Sequence, residues 1–135
     1  MRKSINNLDQ LSEFSLEVLN KLSPGNVCLL YGAMGMGKTT FVSLLMEHLK
    51  YFEVSSPTYS IVQEYESNPP VFHIDLYRVE ADSEIELLDL EYYLNQKDHL
   101  VFIEWADRLN HVDDSFYKLE FSKEKNGNRV IEFKF

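Results

Sequence analysis

The sequence predicts an α/β domain: a central, mostly parallel sheet flanked by helices, with antiparallel strands added near residues 60–77 and in a C-terminal hairpin. Three observations carry this. Gly32-Ala33-Met34-Gly35-Met36-Gly37-Lys38-Thr39 has the spacing of a phosphate-binding loop, with Gly, four residues, then Gly-Lys-Ser/Thr. The loop follows the apolar run 27–31 and precedes the amphipathic segment 40–49, so strand, loop and helix come in the order that such a loop requires. Finally, Leu100-Val101-Phe102-Ile103 is a short apolar run bounded by charge, the pattern of a strand buried on both faces.

Taken in order, Leu8, Leu11, Phe14, Ser15, Val18, Leu19 and Leu22 fall on one helical face, and Ser23-Pro24-Gly25 ends the pattern. Residues 27–31 form the first strand. The helix after the loop starts near Lys38 and turns Phe41, Leu44, Leu45, His48 and Leu49 inward. Residues 54–58 read as a loop, because Pro57 forces extended backbone before it. Residues 60–66 alternate as a half-exposed strand. Asn68-Pro69-Pro70 then turns the chain into a second strand, 71–77, expected to pair with the first as an antiparallel unit. Asp82 or Ser83 caps a helix running through Leu88, with Glu86 as the partner of a capping box if Ser83 is the cap. A shorter helical piece covers 91–94. After the strand 100–103, residues 116–122 and 129–135 form a terminal hairpin joined through Asn126-Gly127.

Length and composition bound the reading. At 135 residues the chain has the size of one domain, 1–135, and its 44% hydrophobic content supplies one core. The net charge of −9 argues against the chain gripping nucleic acid by itself, since neutralising phosphates requires clustered Lys and Arg. Cys28 stands alone in the strand before the loop and reads as a small buried hydrophobe. The N-terminal residues carry charge with no apolar stretch behind them, and nothing approaches the roughly 18 apolar residues of a membrane span, so a soluble cytoplasmic protein is expected.

The chemistry follows from the loop. Holding a polyphosphate requires backbone N–H groups turned inward, and Gly32, Gly35 and Gly37 supply the freedom to do so. The helix beginning near Lys38 points its unpaired N–H groups and positive dipole end at the anion. Lys38 adds charge for the β- and γ-phosphates, and the Thr39 hydroxyl is placed to ligate Mg²⁺. Hydrolysis also needs an acid at the end of a neighbouring strand. Glu104, after the more uniformly apolar strand, is the candidate on the Mg²⁺ side. Asp75 is the candidate for positioning the attacking water. Thr58 sits in the loop where nucleotide switches sense the γ-phosphate. Trp105, beside the acid, packs on the site or anchors the sheet, while His73 and His48 read as packed or surface histidines.

With these residues assembled, the chain resembles the TsaE (YjeE) family of small bacterial ATPases needed to make threonylcarbamoyladenosine in tRNA. The likeness rests on the segment 32–41, Ser56-Pro57-Thr58-Tyr59, His73-Ile74-Asp75-Leu76-Tyr77-Arg78, and Ile103-Glu104-Trp105, in that order. It implies an α/β P-loop fold that binds ATP or ADP with Mg²⁺ and hydrolyses ATP in the service of a TsaB–TsaD complex, with tRNA met only through those partners. Carried over by position, the nucleotide-binding set is Gly32, Ala33, Met34, Gly35, Met36, Gly37, Lys38, Thr39 and Thr40, with Thr58 switch-like and Trp105 close to the nucleotide. Thr39 and Glu104 hold the metal, and Lys38, Asp75 and Glu104 form the catalytic set. Ser12 stands where an N-terminal Thr often helps hold the nucleotide, and Arg129 matches a C-terminal Arg near the base. The family commonly has Asp at the position of Ala33 and Ala at that of Met36; neither supplies the phosphate-binding groups.

Two other classes share the loop. A small-molecule kinase needs an acceptor pocket and a basic lid, and Arg2, Arg78, Arg108 and Arg129 are the only arginines available for it. A noncatalytic binding module would change its complexes with nucleotide state but turn nothing over.

Overall fold

A computed structural model describes residues 1–54, 61–77, 79, 88–109 and 111–134. The residues outside those ranges include Thr58, Arg78, and Asp82 and Ser83, at which a helix is expected to start.

The described strands form one seven-stranded sheet. They are β1 (Arg2–Ile5), β2 (Val27–Tyr31), β3 (Val62–Tyr65), β4 (Val71–Asp75), β5 (Leu100–Glu104), β6 (Tyr117–Lys123) and β7 (Arg129–Lys134), in the spatial order β1-β7-β6-β2-β5-β4-β3. The middle pairs, β6 with β2, β2 with β5 and β5 with β4, are parallel. The outer pairs are antiparallel. This is the expected mixed α/β sheet, with the 60–77 strand pair at one edge and the C-terminal hairpin near the other.

Residues 71–75 and 100–104 alternate between the two faces, because successive side chains on a strand point to opposite sides. Val71, Leu100, Phe102, Cys28 and Leu30 join the core under α1 (Leu8–Lys21) and α2 (Lys38–His48). Phe72, Ile74, Val101, Ile103, Val27 and Leu29 form the second core on the opposite face, with Leu90 of α3 (Leu90–Leu94) and Ala106 of a 3₁₀ turn (Ala106–Arg108). Burial pushes the Cys28 thiol well above its usual range, in keeping with its reading as a small hydrophobe.

Helix α1 is capped by Asn7, whose side chain accepts from Gln10 N–H at 2.9 Å. It buries Leu11, Phe14, Ser15 and Val18, whereas Leu8, at the first helical position, is 62% exposed. Helix α2 is buried more broadly than expected. Val42 and Met46 are fully buried beside Phe41 and Leu45, because α2 lies between the sheet and α1 and so has two apolar contacts to fill. Phe41 meets Phe14 at 6.2 Å and Phe121 at 5.7 Å, tying α1, α2 and β6 together.

Strand β1 is not apparent in the sequence. Only Ile5 of its four residues is buried, so the alternation is too short to show, and its pairing with β7 decides it. Strand β4 stops at Asp75, two residues before the expected end.

Gly32 leaves β2 with φ +148°, and a Cβ there would lie 2.9 Å from the Phe121 carbonyl oxygen. Replacing Gly32 by Ala is therefore expected to lower stability by about 1–3 kcal/mol, read as a fall in urea midpoint at unchanged m. An unchanged midpoint would mean that β6 gives way at no cost.

Candidate active site

The loop 32–37 joins β2 to α2. Gly37 is the N-cap of α2, with φ +100° and ψ 17° in the left-handed region that suits glycine, and Phe41 N–H donates to its carbonyl at 2.8 Å. Ala33, Met34 and Gly35 are exposed at the tip of the loop, and Thr40 is exposed in the first turn of the helix.

Lys38 is almost completely buried, with 4% exposure. Its ammonium reaches back across the loop to donate to the Gly32 carbonyl at 2.5 Å and lies 4.0 Å from the centre of the Trp105 ring. Burial pushes the ammonium below its ordinary pKa, and the carboxylates of Glu104, Asp75 and Asp107 pull it back up. Trp105 holds its ring there from a left-handed backbone, φ 58°, which costs a bulky residue about 1–3 kcal/mol, and its ring also rests on Tyr77 with centroids 4.9 Å apart. Strain kept at such a point is typical of a site whose geometry must be held.

The acids arrive by strand register. In the parallel β4–β5 pair Asp75 stands opposite Glu104, and both share the parity of Val71 and Phe102, the face covered by α2. Glu104 is 3% exposed, and Thr39 Oγ1 donates to both of its oxygens at 3.0 and 3.1 Å. Asp75 Oδ1 accepts from Tyr77 N–H at 2.9 Å. Burial holds the Asp75 carboxyl above the usual range; the Tyr77 N–H opposes this, Glu104 adds to it, and His73 and Lys38 oppose it.

These contacts bear on a metal. Two adjacent oxygen ligands of an octahedral Mg²⁺ at about 2.1 Å stand about 3 Å apart, the separation found between Thr39 Oγ1 and Glu104. Among the described residues no group of three or more His, Cys, Asp or Glu side chains is gathered for a metal, so further ligands would be water or phosphate, the usual condition for Mg²⁺.

The remaining expected residues divide. Arg129, the first residue of β7, lies against the loop, since a Cβ on Gly37 would meet its Nη1 at 2.9 Å. Ser12 does not reach the loop: its hydroxyl is 3.2 Å from His48 Nε2, at the far end of α2 and roughly 15 Å of helix away from Lys38. Helix α1 packs with that register because Phe14 and Val18, not Ser12, set its buried face. Thr58 lies outside the described residues. Arg108 donates to the Val79 carbonyl at 3.0 Å.

Two participants are not evident in the sequence reading. Asp107 adds its charge to the surroundings of Lys38 and Tyr31. His73, wholly buried, meets Glu104 Oε2 through Nε2 at 2.5 Å and Tyr65 Oη through Nδ1 at 2.8 Å. Its signal was the shared parity with Asp75 two residues on, which places both on the site face.

The family model described as "Threonylcarbamoyl adenosine biosynthesis protein TsaE" matches residues 5–131. The chain belongs to the TsaE family. Among TsaE relatives, the chain is 34% identical to a Nostoc protein over 131 residues, 92% of this chain and 80% of that one. It is 35% identical to a Borreliella burgdorferi protein, covering 91% of each, and 32% identical to a Rickettsia felis protein, covering 80% of this chain and 64% of that one. All three relatives carry the name tRNA threonylcarbamoyladenosine biosynthesis protein TsaE. The fold matches the crystal structure of Bacillus subtilis YdiB with a TM-score of 0.75 and 23% identity, covering 98% of this chain and 83% of that one. Among the described residues no helix is long and apolar enough to cross a membrane.

Proposed function

We propose that this TsaE-family chain binds ATP with Mg²⁺ and hydrolyses ATP slowly in the cytoplasm, serving a complex of TsaB and TsaD homologues that makes threonylcarbamoyladenosine in tRNA. The observation that carries the reading is the Thr39 hydroxyl on both oxygens of buried Glu104, directly beside the loop and opposite Asp75. The names of the relatives support the pathway.

The residues divide the work. The N-terminus of α2 and the loop N–H groups receive the phosphates, and Lys38 exchanges its bond to the Gly32 carbonyl for phosphate oxygens. Thr39 and Glu104 hold the metal, which when bound neutralises charge on the β- and γ-phosphate oxygens. Asp75 orients the attacking water and accepts its proton. Arg129, whose guanidinium lies beside Gly37, would meet the nucleotide there. Trp105 closes the side of the site behind Lys38.

Turnover is expected to be slow, because the sequence offers no evident arginine finger: Arg108 donates to the Val79 carbonyl, and Arg129 lies beside Gly37. An arginine finger is worth about 10³ to 10⁵ in related chemistry, so a partner that supplies or orders such a charge would control the rate. The acidic chain leaves tRNA contact to those partners.

The test is a pull-down from lysate with the chain held in ATP or ADP. Recovery of TsaB and TsaD homologues, differing between the two nucleotides, is the expected result. Recovery of neither in either state would overturn the assignment to that complex.

A further inference from the structure

We propose that His73 is a positioning residue: it clamps the Glu104 carboxylate so that Oε1 stays beside Thr39 for the metal. The inference rests on the reading that Thr39 and Glu104 hold that metal.

An imidazole buried to 0% in a sheet costs free energy unless its nitrogens are bonded, and a leucine would fill the space without that cost. Both nitrogens are used. A carboxylate can only accept, so Nε2 carries the hydrogen and donates to Glu104 Oε2 at 2.5 Å. Nδ1 then accepts from the Tyr65 phenol at 2.8 Å, and the phenol oxygen also lies 2.9 Å from the side-chain amide of Gln63. Tyr65 is itself held against Tyr51, with centroids 5.0 Å apart. A polar chain thus runs from Glu104 through β4 to the edge strand β3, each member fixing the orientation of the next.

The arrangement is asymmetric in a useful way. Thr39 bonds both Glu104 oxygens, but His73 bonds only Oε2. A threonine hydroxyl that ligates a metal through an oxygen lone pair keeps its hydrogen, but Thr39 reaches both Glu104 oxygens alike, so His73 is the group that distinguishes them and stops the carboxylate rotating. Oε1 then remains the oxygen free to face the metal. Partners that orient a metal ligand in this way typically contribute about 10- to 100-fold in metal affinity.

The test uses the full chain saturated with ADP and reads Mn²⁺ binding by electron paramagnetic resonance, independently of turnover. Glu104→Ala and His73→Leu are both expected to weaken Mn²⁺ binding about 10- to 100-fold, and in His73→Leu the ADP affinity in EDTA stays unchanged. His73→Gln, whose amide nitrogen stands near the place of Nε2, should recover most of the loss. His73→Asn keeps an amide towards Tyr65 but withdraws the donor from Glu104, and it should bind as weakly as His73→Leu; it also serves if the leucine variant fails to fold. A folded His73→Leu or His73→Asn with wild-type Mn²⁺ affinity, or His73→Gln as weak as either, overturns the clamp. If Glu104→Ala also leaves Mn²⁺ affinity intact, the metal assignment itself fails and the clamp with it.

Discussion

Asp75→Asn is expected to lower ATP turnover about 10²- to 10⁴-fold, the usual worth of a positioned general base, while ATP affinity stays close to wild type. The substitution is nearly isosteric, and the amide oxygen can still accept from Tyr77 N–H as Asp75 Oδ1 does. What it loses is the ability to take a proton from water. The same variant should melt at a higher temperature at neutral pH. Burial, the largest influence, holds the folded Asp75 carboxyl above its unfolded value of about 3.9. The folded state therefore binds this proton more tightly than the unfolded chain does. Its stabilising contribution is present below the unfolded pKa and is lost as pH rises through the raised folded one, so the charged group opposes folding at pH 7. Turnover and melting should move in opposite directions. Single-turnover hydrolysis with a thermal melt reads both, and wild-type turnover in this variant would remove Asp75 from the chemistry.

Lys38→Ala is expected to weaken ATP binding about a hundredfold by calorimetry. The ammonium is nearly buried at the mouth of the loop, and losing its charged hydrogen bonds to phosphate is worth about 3 kcal/mol. Circular dichroism should show the variant folded, because Phe41, Val42, Leu45 and Met46 anchor α2 without Lys38. Equal affinity in the two proteins would contradict a phosphate site at this loop.

The parts of this site that are legible in the sequence are those made by neighbours in the chain. The glycine spacing, the Gly-Lys-Thr ending and the change from an apolar run to helical period lie within about twenty residues, and local backbone chemistry accounts for them. The hairpin of β6 and β7 is legible for the same reason, with Asn126-Gly127 between two alternating runs and Gly127 at φ +87°. Strand β1 is not, because one buried side chain in four residues makes no pattern. Nor is the second buried side of α2, where Val42 and Met46 answer to α1 and the sheet together.

By itself, then, the chain's order of residues determines a phosphate loop between a strand and a helix, the α/β class, and two acids at strand ends as candidates for the metal and the water. Tertiary structure decides how these are used. The register of β4 on β5 sets Asp75 beside Glu104, and the parity of those strands puts both, with His73, on the face covered by α2, where Glu104 meets Thr39 and His73. The packing of α1 carries Ser12 to His48, at the end of α2 remote from the loop, and the start of β7 brings Arg129 to Gly37. The physical reason is range: propensity and spacing act over a few residues, whereas a one-residue slip in strand register would turn every one of these side chains to the other face.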